Sequence, residues 1–214
     1  MNKKTFDSVI LDIDGTIWNT THIVADAWNN AVRPYDEKLA FITAERLQSE
    51  FGKTMDIIAK DLWPDVKEDT RKILMADCCR LEHIAVEANT KDISYPSVID
   101  TVKELSHKID FYVVSNCQNG YIELTLSKTG LTPYIKDFEC YGRTGRGKAE
   151  NISLIVKRNN LNYPVYIGDT QGDCNECKKA GVPFIWASYG FGKADSSIAK
   201  LTRFDEVKSI LFQI

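Results

Sequence analysis

The feature that most constrains this chain is a short, mainly apolar run from Phe6 to Leu11 that ends in Asp12-Ile13-Asp14-Gly15-Thr16. A run of this length reads as a strand buried on both faces, the kind found in parallel sheets. Residues i and i+2 of a strand share a face. While the chain stays extended, Asp12 and Asp14 therefore project together from the strand's carboxyl end. Two carboxylates so close repel, and a bound cation or a shared proton relieves the repulsion. Gly15 lets the backbone turn sharply as it leaves the strand.

The rest of the chain alternates. A helical block follows first. The pattern predicts helices from Asn19 or Thr20 to Val32, from Thr43 to Phe51, from Thr54 to about Leu62, and from Val66 to Ala88. Pro34, Gly52 and Pro64 stand at their ends. The long fourth helix is expected to bury Ile73, Leu74, Cys78, Leu81 and Ile84. From about Tyr95, helix and strand take turns. Strands are expected at Ile109–Val114, Asp137–Tyr141, Val165–Ile167 and Pro183–Ala187. Helices are expected after Pro96 and at Gly120–Thr129, Lys148–Asn159, Asp173–Ala180 and Asp205–Phe212. This alternation specifies an α/β fold, a doubly wound parallel sheet with helices on both faces.

Composition excludes several classes. The 214 residues are 43% hydrophobic, enough for a sizeable core, and the net charge of −3 is spread along the chain. That balance argues against a nucleic-acid or anionic-membrane partner. No apolar stretch approaches the roughly 20 residues of a membrane span. Met1–Lys4 carries basic residues, but the apolar run after it is short and contains Asp12 and Asp14, unlike a signal peptide. The six cysteines are expected to be reduced thiols in the cytoplasm. Cys174-x-x-Cys177 lacks a second pair at zinc spacing. Tyr189-Gly190-Phe191-Gly192 is glycine-rich, without the spacing of a nucleotide-binding loop.

Three further segments match the first. Val113-Val114-Ser115-Asn116 is an apolar run ending in a hydroxyl. Lys148 stands in Arg146-Gly147-Lys148-Ala149-Glu150. Val165-Tyr166-Ile167-Gly168-Asp169-Thr170-Gln171-Gly172-Asp173 ends in a second pair of aspartates. In open parallel sheets, sites form beyond the carboxyl ends of the strands, where these segments can converge. With all four motifs in order over nearly the whole chain, the sequence resembles the haloacid dehalogenase superfamily, in its phosphoglycolate-phosphatase-like and beta-phosphoglucomutase-like subgroup.

The resemblance implies a Rossmann-like core at 1–17 and 91–214, with an inserted α-helical C1 cap domain at 18–90. It implies a Mg²⁺-dependent phosphatase in which Asp12 is the nucleophile and Asp14 the acid and base. Ser115, the Asn116 amide and Lys148 would hold the phosphate. Mg²⁺ would bind Asp12, the backbone carbonyl of Asp14, Asp169 and Asp173, the last directly or through water. Asp173 also reads as a helix N-cap. Many relatives have Lys-Pro where this chain has Lys148-Ala149, so Lys136, Arg143 and Arg146 stay open as the phosphate-binding cation. Lys53, after Gly52, resembles the family's specificity loop. Trp18 and His22 either face the substrate or pack in the cap, and Arg33 and Arg46 read as surface residues. The partner expected is a small phosphorylated metabolite, and the chain is expected to be a monomer. The alternatives are a phosphomutase, disfavoured by Val24 where that subgroup carries a histidine, and a non-catalytic phosphate- or Mg²⁺-binding regulator.

Overall fold

A computed structural model of the chain describes residues 6–212; the Met1–Lys4 segment lies outside the described residues. Six strands form one parallel sheet: β1 Ser8–Leu11, β2 Asp110–Ser115, β3 Ile135–Cys140, β4 Pro164–Gly168, β5 Phe184–Ala187 and β6 Ala199–Leu201. Their order is β3-β2-β1-β4-β5-β6. β1 therefore lies inside the sheet, with Leu11 in register with Val113 on β2 and Ile167 on β4. The chain order reverses beside β1, and this is the point where doubly wound sheets open a crevice.

The period-two geometry of β1 sorts its side chains to two faces. Val9 and Leu11 join a large cluster that also holds Trp28, Leu47, Ile58 and Leu74 from the block of helices after β1. Ile10 joins a second cluster with Tyr112, Val114, Ile152, Ile155 and Tyr166. All four β1 residues are buried, as their run of apolar type requires.

The helices are α1 Thr21–Val32, α2 Ala44–Glu50, α3 Met55–Leu62, α4 Glu68–Ala88, α5 Val98–Leu105, α6 Tyr121–Thr129, α7 Tyr141–Thr144, α8 Lys148–Arg158, α9 Gln171–Ala180 and α10 Val207–Leu211. α1 to α4 all lie between β1 and β2, with α1 packed along α4. The two linkers to this block run side by side. The Asn19 amide donates to the Ile93 carbonyl at 2.9 Å, and the Tyr95 amide to the Ile17 carbonyl at 2.9 Å. Among the described residues, no helix is long and apolar enough to cross a membrane.

Five details depart from expectation. β3 starts two residues early, at Ile135, and the last helix opens with a 3-10 turn at Phe204–Glu206. β6 is unforeseen: three residues with Lys200 exposed carry too little periodicity to register. Thr20 precedes α1 but makes no capping bond; the Asn19 side chain accepts from the Thr21 amide instead, at 3.1 Å. On α4, Ile73 and Ile84 are exposed, and the buried stripe is Leu74, Met75, Cys78, Glu82 and Val86. Leu74 and Cys78 lie on the expected stripe, and the carboxylate of Glu82 at its centre stands where periodicity favours Ile73 and Ile84.

Candidate active site

Asp12 follows β1 directly, and its amide donates to the Ile167 carbonyl at 2.9 Å. The residue is 2% exposed. Lys148, the first residue of α8, is 1% exposed, and its ammonium donates to Asp12 Oδ1 at 2.9 Å and to Asp173 Oδ1 at 2.5 Å. A lysine at a helix N-terminus opposes the dipole, and here two carboxylates outweigh that. Burial works against its charge, yet Asp12 and Asp173 hold it well above the ordinary lysine range. Burial also pushes the Asp12 carboxyl up to about 6, with Lys148 opposing and Asp173 adding to the rise.

Asp169 follows β4. Its Oδ2 accepts from the Phe191 amide at 2.7 Å, while its Oδ1 is buried with no hydrogen-bond partner. Burial, then the charges of Asp173 and Asp12, raise its carboxyl well above the usual range. Carboxylate oxygens of Asp12, Asp169 and Asp173 lie within 4.8 Å of one another. An orphaned buried oxygen in a set of hard oxygen ligands, with no His or Cys in the group, fits a small divalent cation such as Mg²⁺. Asp173 is the most engaged of the three. Its Oδ2 accepts from the Thr170 amide at 3.0 Å and hydroxyl at 2.7 Å, closing a capping box on α9.

The Asp14 side chain points elsewhere. Its Oδ1 accepts from Trp18 Nε1 at 3.2 Å, the Thr20 hydroxyl at 3.0 Å and the Tyr121 hydroxyl at 2.8 Å. Burial pushes this carboxyl up to about 7; the Tyr121 bond opposes, and the Asp12 charge adds. Asp14 thus faces neutral donors, while its neighbour two residues back faces an ammonium.

The turn between them is crowded. Gly15 has φ +83°, and a Cβ there would fall 2.1 Å from Asp169 Oδ2. A Cβ on Gly190 would fall 2.2 Å from the Gly15 carbonyl oxygen and 2.4 Å from Asp169 Cβ. The Tyr189–Gly192 loop is thus a close backbone support for Asp169.

A cavity of about 20 Å³ lies beside Asp14, lined by Ser115, Asn116, Gly52, Lys53, Glu82 and Gln118 among others. Ser115 ends β2 and is buried. The Asn116 side chain reaches across to the helical block, donating from Nδ2 to the Gly52 carbonyl at 2.8 Å. The Lys53 ammonium is held by Glu50 at 2.7 Å and Asp61 at 2.8 Å. Trp18 is buried on Asp14, His22 is exposed, and Arg33 and Arg46 are on the surface. Of the rival cations, Lys136 lies 3.8 Å from Asp110, Arg143 is 3.5 Å from Glu139 and over the Phe138 ring, and Arg146 is exposed. All six cysteines are free thiols. The Cys174 thiol donates to the Ser196 carbonyl at 2.9 Å, and Cys177 is buried in the second cluster.

Tyr121, Thr20, Glu82, Gln118 and the Phe191 amide went unread in the sequence. None belongs to a strand-end motif, and for all but Thr20, six residues from Asp14, the partner lies far along the chain. The glycine pair around Phe191 was the one visible signal.

The chain superposes on a predicted phosphoglycolate phosphatase from Haemophilus somnus with a TM-score of 0.82 and 18% identity, covering 96% of this chain and 98% of that one. A predicted phosphatase from Clostridium acetobutylicum gives 0.80 and 16%, covering 96% and 98%. A haloacid dehalogenase-like family hydrolase from Streptococcus pneumoniae gives 0.79 and 14%, covering 96% and 98%. At such identities the likeness establishes the fold. No curated protein matches the sequence. Residues 9–187 match the haloacid dehalogenase-like hydrolase family. That span runs from the first strand to the fifth and takes in every motif named above, so the chain belongs to the haloacid dehalogenase-like hydrolase family.

Proposed function

We propose that the protein hydrolyses small phosphate monoesters through a phosphorylated Asp12. The observation that carries this reading is the split environment of two carboxylates two residues apart. Asp12 meets the Lys148 ammonium, and Asp14 meets three neutral donors. Carboxyl pairs whose surroundings differ in this way divide the work of nucleophile and acid.

An oxygen of Asp12 attacks phosphorus, and the bond from phosphorus to the ester oxygen breaks. Asp14, its carboxyl raised to about 7, keeps a proton near neutrality and delivers it to the departing oxygen. Water then attacks the phosphorus of the aspartyl-phosphate, Asp14 takes back a proton, and Asp12 is released with inorganic phosphate. Lys148 and Ser115 stabilise the oxygens on which charge collects. Asp12, Asp169 and the Asp14 carbonyl, with Asp173 behind them, are the groups that would hold Mg²⁺. The ion, when bound, neutralises phosphoryl charge.

Residues 18–90 act as the cap of this site. A cavity of about 20 Å³ has room for about one water, so an ester enters only when the helical block swings away. The Asn116 bond to Gly52 is one contact that must break. Free thiols throughout suit a reducing compartment, the cytoplasm, where we take the protein to act as a monomer. Phosphate release from a panel of small esters, with and without Mg²⁺, tests the reading against Asp12→Asn. Mg²⁺-dependent release that the variant lacks is the expected result. Equal release by the variant removes Asp12 as nucleophile.

A further inference from the structure

Glu82 takes no part in the steps above, yet it is built into the same cavity. It sits on α4, 3% exposed, and lines the cavity with Asp14, Ser115, Asn116 and Gln118. Its Oε2 accepts from Trp28 Nε1 at 2.7 Å and its Oε1 from Gln118 Nε2 at 2.9 Å. Among the described residues, no basic side chain forms an ion pair with it. One hydrogen bond per oxygen leaves each with capacity for another donor.

Two amides extend the pattern. The bond to Glu82 fixes the Gln118 amide, so that its Oε1 is the free end, and this oxygen is buried without a partner. The Asn116 bond to the Gly52 carbonyl likewise fixes that amide and leaves Oδ1 buried without a partner. Neither amide can flip without losing its one bond. The wall beyond the reacting carboxylates therefore presents acceptors: a carboxylate and two amide oxygens. The cation of this wall, Lys53, is already held by Glu50 and Asp61. A tie between α1 and α4 needs only the Trp28 bond. It does not call for unpartnered buried acceptors on residues that line a cavity, which cost stability unless something donates to them.

We propose that Glu82, with Asn116 and Gln118, makes this wall a leaving-group subsite for hydroxyl-bearing esters, the polyol and sugar phosphates, and works against esters whose leaving group carries a carboxylate. The inference rests on the phosphatase reading for its chemistry, since the leaving group is what the cavity meets. Hydroxyls supply the missing donors. A carboxylate would stand against Glu82, whose own carboxyl burial pushes up to about 7, with no free cation to balance the pair.

The test is calorimetric titration of the Asp12→Asn protein, in Mg²⁺, with glycerol 3-phosphate and with phosphoglycolate. Glycerol 3-phosphate is expected to bind about tenfold more tightly or better. Adding Glu82→Gln should narrow that ratio by about fivefold or more, mainly through tighter phosphoglycolate binding. If Glu82→Gln does not fold, Gln118→Met carries the test from the neighbouring side chain of the same wall: it should weaken glycerol 3-phosphate and leave phosphoglycolate no weaker. Equal or tighter binding of phosphoglycolate, a ratio that neither variant moves, or binding of neither ester overturns the proposal. Binding to Asp12→Asn needs no turnover, so the two readings fail separately. The expected ratio, found with no phosphate release by the wild type, would overturn hydrolysis and leave the subsite standing.

Discussion

Replacing Lys148 by Met keeps most of the buried stem and removes the charge. The ammonium contacts Asp12 and Asp173 at 2.9 and 2.5 Å in a site closed to water. Without it, carboxylate oxygens within 4.8 Å of one another repel. At an effective dielectric constant of about 20, that repulsion is about 3 kcal/mol. Breaking a buried charge pair by removing one partner typically costs about 3–5 kcal/mol, which agrees. The cost must depend on pH. Lys148 lowers the Asp12 carboxyl, which already sits at about 6 with the ammonium present. Its removal raises that carboxyl further, so the wild type's advantage grows as pH rises through 6 and fades below it, where Asp12 is protonated in both folded proteins. Urea unfolding of both proteins in EDTA, at pH 5.5 and pH 8, reads this directly. The expected loss at pH 8 is about 3 kcal/mol, at least about 2 more than at pH 5.5. A variant within about 1 kcal/mol of wild type at both pH values would refute the claim that this ammonium offsets the carboxylate repulsion.

Asp14→Asn should lower kcat by about 10²–10⁴-fold while Mg²⁺ still binds, and less than tenfold loss in a single-turnover assay would remove Asp14 as the acid. Because the acid form must be protonated and its carboxyl sits at about 7, wild-type kcat should fall as pH rises above that value. Tyr121→Phe deletes a donor that favours the ionised form of Asp14, so the alkaline limb of the kcat profile should move to higher pH; movement to lower pH would contradict the assigned bond. Gly15→Ala meets both a left-handed φ and Asp169 Oδ2, whereas Gly145→Ala, at φ +64°, meets nothing within 4 Å. Thermal melts should show about 1 kcal/mol lost for Gly145→Ala from backbone strain alone and distinctly more for Gly15→Ala. Weakened Mg²⁺ binding should accompany only the latter, and equal losses with equal Mg²⁺ affinity would show that the Asp169 contact carries no cost.

Local pattern was enough for the frame of the molecule. The apolar runs ending at Leu11, Val114 and Ile167 are strands because residues of that type must be buried on both faces, and their polar ends are forced to one edge of a parallel sheet. Helix ends at Thr43 and Gly181 were legible because caps and left-handed glycines act within one turn. Asp12, Asp169 and Asp173 could be named because each sits in or beside such an end, and Lys148 because its place in the motif order resembles the family's.

What surrounds them could not. Tyr121 reaches Asp14 across 107 positions, and Gln118 reaches Glu82 across 36. Glu82 itself interrupts the apolar stripe of α4, so the helix period pointed to Ile73 and Ile84, which face water. The glycines at 15 and 190 are spaced for a contact with Asp169 that exists only after the sheet closes. The residues of the strands and their ends follow from short-range periodicity, which the chain carries locally. The raised carboxyl of Asp14, the engagement of Lys53 and the acceptor wall around Glu82 depend on which distant side chains share one small volume, and that is decided by tertiary packing alone.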